Sequence, residues 1–104
     1  MYLLGLADMR HRYIISYDVS DARRLSRVHK KMRGYGDPLQ YSVFRCDLSD
    51  AEKIILQAHL HELIHHGEDR IMIVRLGPAA RDPSEDFEFM GKVVPMAILK
   101  ATIV

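Results

Sequence analysis

The stretch Arg12-Tyr-Ile-Ile-Ser-Tyr-Asp-Val19 is β-branched and aromatic almost throughout and holds neither glycine nor proline. A run this apolar predicts a strand covered on both faces, and therefore one in the middle of a sheet. Directly after it, Ser20 or Asp21 offers a side-chain oxygen to the first free N–H groups of a helix. Ala22, Leu25, Val28, Met32 and Tyr35 then recur at steps of three and four, which places them on one side, facing the sheet. Gly34 and Gly36 can supply the positive φ that ends such a helix.

Outward from this unit, Asp37-Pro38 predicts a turn, and residues 39–48 (LQYSVFRCDL) predict a second strand with partial polar alternation. Ser49-Asp-Ala-Glu52 is a capping box opening a second helix, expected to run to about His66 and to stop at Gly67. That helix carries two apolar stripes, Leu56, Leu60, Leu63 and Ile64 on one side, and Ala51, Ile54, Ile55 and Ala58 on another. One sheet cannot cover both, so the second stripe predicts contact with a terminal segment or another chain. Residues 70–76 (RIMIVRL) predict another strand, and residues 77–84, with Pro78 and Pro83, a linker. Phe87-Glu-Phe-Met90 and Lys100-Ala-Thr-Ile-Val104 predict two short strands in the tail. The expected fold class is α+β and ferredoxin-like: an antiparallel sheet with two helices on one face and extra C-terminal strands. At 104 residues, with 48% hydrophobic content, the chain suits one domain, with residues 1–11 as an N-terminal extension and residues 77–104 as a tail of pairing strands.

A single cysteine, Cys46, excludes an intrachain disulfide and points to a reducing, cytoplasmic setting. The start, Met1-Tyr-Leu-Leu-Gly-Leu-Ala7, is apolar but short and runs at once into Asp8, Arg10, His11 and Arg12, so neither export signal nor membrane attachment is expected. A net charge of +1 is uninformative, but its distribution is not. Arg23, Arg24, Arg27, Lys30, Lys31 and Arg33 follow one another without an acid, while Asp82, Glu85, Asp86 and Glu88 gather near the other end. A helix with six cations and no alternating acids reads either as a track for backbone phosphates or as a solvated face.

Asp18 leaves the first strand beside the start of that basic helix, a suitable place for a metal facing phosphates. Magnesium takes hard oxygen ligands and needs only one or two protein carboxylates. One Asp per chain is thin for this, but a two-fold axis near the strand ends brings a second copy of Asp18 to the same ion. The alternative is that Asp18 caps the helix or pairs with a neighbouring arginine. His61-Glu62-Leu-Ile-His65 matches the H-E-x-x-H pattern of zinc proteases. Its helix ends within about two residues of His65 at Gly67, no later histidine offers a third ligand, and only Glu85 or Glu88 could complete the set. His59 and His66 beside it read as surface residues, and Cys46, mid-strand with no histidine beside it, as a core residue rather than a nucleophile.

Tyr13-Ile-Ile-Ser-Tyr-Asp-Val19, Arg24-Leu-Ser-Arg-Val28, Gly34-Tyr-Gly-Asp-Pro-Leu-Gln-Tyr-Ser-Val-Phe44 and Cys46-Asp-Leu-Ser49 strongly resemble the small CRISPR-associated nucleases of the Cas-two family. The likeness spans about residues 12–76, with weaker continuation at 87–91 and 100–104, and several motifs in order are far more specific than one. It implies a ferredoxin-like fold, a homodimer, and work beside the larger CRISPR integrase in acquiring spacers. It also implies magnesium-dependent cleavage of single-stranded RNA or double-stranded DNA, with Asp18 as metal ligand and Tyr17 and Phe44 near the active site. Arg27 matches a basic position of the first helix, which makes Arg23, Arg24, Arg27, Lys30 and Lys31 the expected nucleic-acid contacts. Two departures stand out: Pro38 occupies a place where some members carry arginine, and the extension is longer than usual, with Met9 a candidate start. A non-catalytic reading also fits, in which the dimer is a DNA-gripping scaffold whose tail strands dock the integrase.

Overall fold

The computed structural model describes residues 9–81 and 86–92, together with the backbone of Thr102–Ile103. Residues 1–8, Asp82, Glu85, Lys100 and Val104, which carry parts of the expected extension, acidic cluster and last strand, lie outside them.

The decisive segment forms β1 (His11–Asp18). It is followed by α1 (Ala22–Arg33), β2 (Asp37–Gln40), β3 (Val43–Leu48), α2 (Asp50–Leu63), β4 (Arg70–Pro78), β5 (Glu88–Phe89) and β6 (Thr102–Ile103). The main sheet has the order β2-β3-β1-β4 and is antiparallel throughout. β1 is interior, as expected, but its burial is one-sided. Tyr13, Ile15 and Tyr17 are buried, whereas Ile14 and Ser16 are only partly covered and Asp18 is exposed. Period-two alternation sends the first set towards the helices and the second to the other face, which no helix among the described residues covers. The core joins Tyr13, Ile15 and Tyr17 of β1 to Val28 and Met32 of α1, Phe44, Cys46 and Leu48 of β3, and Leu56 and Leu60 of α2. This is the ferredoxin-like arrangement of two helices on one face of an antiparallel sheet.

Residues 39–48 are not one strand but parts of two, β2 and β3, joined through a tight turn at Tyr41-Ser42, and Asp37-Pro38 lies within β2 rather than in a turn. An uninterrupted β-prone run hides such a hairpin because its turn lacks the usual Gly or Asn. Pro38 is tolerated because β2 is the edge strand, where a missing N–H costs no ladder bond on the outer side. Neither Gly34 nor Gly36 adopts positive φ, and Gly34 caps α1 at φ −79°. Gly36 is required for a different reason. A Cβ there would sit well inside van der Waals contact with the Arg45 carbonyl oxygen and 2.5 Å from Cys46 Sγ.

Helix ends follow their capping chemistry. Asp21 is the cap of α1, its Oδ2 accepting from Arg24 N at 2.9 Å. Ser49 and Glu52 form the expected reciprocal capping box of α2. α2 nevertheless ends at Leu63, short of His66, and Ile64 is already extended. Its first apolar stripe enters the core, while Ile54 and Ile55 of the second stand 66% and 50% exposed.

The loop before β4 is clamped to α1 by one buried carboxylate. Asp69, whose side chain is fully covered, accepts from Arg24 Nε at 2.7 Å, from Ser20 N at 3.1 Å and from His65 N at 2.8 Å. These donors, led by Arg24, hold its pKa well below the ordinary 3.8. The tail is fastened by Arg12, only 2% exposed, which donates to the carbonyls of Ala79 and Arg81 at 2.7 and 2.9 Å and pairs with Asp47 and Asp86.

Two outcomes test these contacts. Gly36→Ala should destabilise the fold by about 1–3 kcal/mol in urea unfolding, because backbone must move to admit the methyl group. Asp69→Asn should lower stability at neutral pH. A depressed carboxylate pKa stabilises above its unfolded value and loses that contribution as pH falls, so the gap between the two proteins should narrow below about pH 4 in a pH series of melts.

Candidate metal and nucleic-acid site

Strand alternation decides what surrounds Asp18. Its carboxylate is 81% exposed at the end of β1, and antiparallel pairing sets it opposite Arg70, whose Nη2 lies 3.8 Å from Oδ2. At that distance, and with both side chains open to water, the pair is loose and leaves the carboxylate oxygens available. A shallow hollow of about 240 Å³, lined by Ser16, Tyr17, Asp18, Arg70 and Met72, marks the place. Met72 and Val74, 54% and 38% exposed, continue from it along the uncovered sheet face. Asp18 is not the cap of α1, a role filled by Asp21.

Tyr17 and Phe44, expected near the active site, lie on the helix-covered side of the sheet, away from the Asp18 carboxylate. Tyr17 is 5% exposed, and its ring stacks on Phe44 with 6.2 Å between centroids. Its phenol oxygen lies 2.8 Å from His29 Nδ1 and donates to the Tyr41 carbonyl at 3.2 Å. Burial pushes its pKa up to about 12, so the phenol stays protonated and serves to support the end of β1 from beneath. The structure therefore brings together Asp18 and Arg70, and separately Tyr17, Phe44, His29 and Tyr41.

The basic helix divides in the same way. Arg24 is committed to Asp69 and Glu68, so it is a structural clamp rather than a free phosphate contact. Arg27, Lys30 and Lys31 instead line an open groove of about 370 Å³ between the helices, with Gly34, Tyr35 and Leu63. Arg23 is exposed and, like these three, makes no ion pair among the described residues. No acid occupies the first turn of α1. Such a cluster of unpaired cations is suited to polyanion backbones.

Two competing sites dissolve. His61 and His65 do not stand one helical turn apart, because α2 ends between them. His65 N is spent on Asp69, while the His61 ring packs on His66 with centroids 4.2 Å apart. Among the described residues no group of three or more His, Cys, Asp or Glu is placed to hold a metal. Cys46 is fully buried, and burial beside Asp37 and Asp47 raises its pKa to about 12, which removes it as a nucleophile.

Arg70 was missed by sequence reasoning, although matching strand lengths could have found it: β1 ends at Asp18, and its antiparallel neighbour must begin opposite. Tyr41 and His29 gave no periodic signal, since their contact depends on the hidden hairpin.

Comparison with known proteins agrees with this fold. The family described as CRISPR associated protein Cas2 matches residues 9–82. The chain is similar to a CRISPR-associated endoribonuclease Cas2 of Geobacter sulfurreducens, with 38% identity over 92% of this chain and all of that one. It is also similar to one of Rhodospirillum rubrum, with 34% identity over 94% of this chain and 95% of that one. Among solved structures, Streptococcus pyogenes Cas2 at pH 6.5 aligns with TM-score 0.61 and 31% identity, covering 64% of this chain and 86% of that one. A further Cas2 crystal structure aligns with TM-score 0.68 and 28% identity, covering 86% and 99%. With the fold, the order of motifs and the length of its relatives all in agreement, the chain belongs to the CRISPR-associated Cas2 family.

Proposed function

We propose that this protein is a metal-dependent endonuclease of CRISPR spacer acquisition, which hydrolyses phosphodiester bonds of RNA or double-stranded DNA as a homodimer in the cytoplasm. The observation that carries the reading is the Asp18 carboxylate, exposed at the end of β1 and only loosely held by Arg70. Relatives named endoribonucleases support the activity.

The residues fit magnesium on one condition. A single hard oxygen ligand per chain, with no cluster of acids among the described residues, suits an ion that keeps most of its shell as water and phosphate oxygen. A second chain supplies the other carboxylate. The uncovered sheet face gives the means: Ile14, Met72 and Val74 form an apolar surface beside Asp18 that a two-fold partner would bury. When bound, magnesium supplies an activated water and a Lewis acid for the phosphoryl oxygens. The chain's own residues orient the substrate, with Arg27, Lys30 and Lys31 neutralising successive phosphates and Arg70 standing beside the reacting group. Tyr17, protonated and buried, fixes the backbone from which Asp18 projects.

A second reading has its own support. Among the described residues the outer edge of β4 has no strand partner, and β5 and β6 form a separate two-stranded parallel unit. Such edges are suited to strand addition by a CRISPR integrase subunit, with the dimer acting as a DNA-binding scaffold.

Asp18→Asn should reduce magnesium-dependent cleavage of matched RNA and duplex DNA to the level of a chelator control while leaving melting and dimerisation unchanged. Undiminished cutting rejects the catalytic role, and intact spacer integration by this variant favours the scaffold. Met72→Glu should yield monomers in sedimentation and lose cleavage despite an intact Asp18; a fully active monomer would refute the shared site.

A further inference from the structure

Tyr41 is a large aromatic side chain left outside the core. It is 63% exposed in the β2–β3 turn, whereas every other Tyr and Phe among the described residues is buried or half-buried. Its ring is nonetheless held in place. It lies almost parallel to His29, with centroids 4.8 Å apart and 12° between planes. One face is therefore backed by imidazole, and the exposure belongs to the rest of the ring. The backing is itself fixed, because His29 meets Phe44 edge-on at 5.4 Å and places Nδ1 2.8 Å from the Tyr17 phenol. The same phenol donates to the Tyr41 carbonyl at 3.2 Å, so backing ring and turn backbone are anchored on one core hydroxyl. A ring ordered before a ligand arrives loses little freedom on binding.

Its surroundings select the ligand. Ser26, His29 and Arg33 fall at positions i, i+3 and i+7 of α1, on one stripe of the helix beside the turn. Arg33 is exposed and makes no ion pair among the described residues, and Gln40 next to the turn is exposed as well. An apolar protein partner would meet a cation here rather than aliphatic side chains. A nucleotide would meet a π-face flanked by positive charge. The turn also closes onto the end of β1, where Tyr17 N donates to Ser42 O at 3.1 Å one residue before Asp18.

We propose that Tyr41, backed by His29, is a stacking platform for an unpaired nucleobase. The inference rests on the nuclease reading. Bases within a duplex already have both faces stacked on neighbours and offer nothing to an isolated ring, whereas a single strand turns a base out onto it.

The test is fluorescence anisotropy of the full-length protein, with chelator present to prevent cutting, against a labelled oligouridylate and a duplex of the same length across a salt series. Tyr41→Ala should weaken single-strand binding by roughly 5- to 100-fold. Duplex affinity and the salt slope should stay unchanged, and Tyr41→Phe should restore wild-type binding. Equal affinity of Tyr41→Ala and wild type for the single strand overturns the platform. So do equal losses on both substrates, failure of Tyr41→Phe to rescue, or a change of oligomeric state that places the turn at a contact between copies. A wild-type protein that binds neither substrate removes the nuclease reading itself, a result distinct from wild-type binding that is indifferent to Tyr41.

Discussion

The alternation of β1 between two unlike environments is the constraint from which the other features follow. Tyr13, Ile15 and Tyr17 must face the helices, because they complete a core that Val28, Met32, Leu56 and Leu60 close from above. Once they do, Asp18 has no choice but to project to the opposite side. A slip of one residue against β3 and β4 would bury a carboxylate and expose three large apolar side chains. Register and the exposure of Asp18 are thus the same fact, and the two ladders flanking β1 secure both.

Much of this was legible in the sequence because it depends on local rules. The residue 12–19 run, the Ser49-Glu52 capping box and the helical spacing of Val28, Met32, Leu56 and Leu60 each specify their own element. The exposed position of Asp18 was legible because a carboxylate ending an apolar strand is conspicuous. The hairpin was not, because Tyr41-Ser42 lacks the Gly or Asn of a tight hairpin turn and is held instead by Tyr17, more than twenty residues earlier. Assignments within the basic helix also required the fold. Nothing in the spacing of Arg24 separates it from Arg27, and only the arrival of Asp69 from the far side of α2 turns one into a clamp and leaves the other in the groove.

The division of labour among charges is physically economical. A buried carboxylate such as Asp69 is tolerable only when fully satisfied, and donors from three residues, Arg24, Ser20 and His65, meet that demand. Cations left without acids gain nothing for the isolated fold, since exposed charge pairs contribute little even when present. Their absence of partners is therefore inexpensive, and it keeps one flank of the molecule positive at almost no cost in stability.

The fastening of the tail by Arg12 has a separate consequence. Its guanidinium grips the chain at Ala79 and Arg81, so whatever follows departs from a fixed origin on the sheet. The match to the family model ends at residue 82, one position beyond that grip, although relatives align over more than nine-tenths of the chain. Asp86 pairs with the same guanidinium, so this part of the tail is tied directly to β1, and a change at Asp86 reaches the strand that carries Asp18 through Arg12.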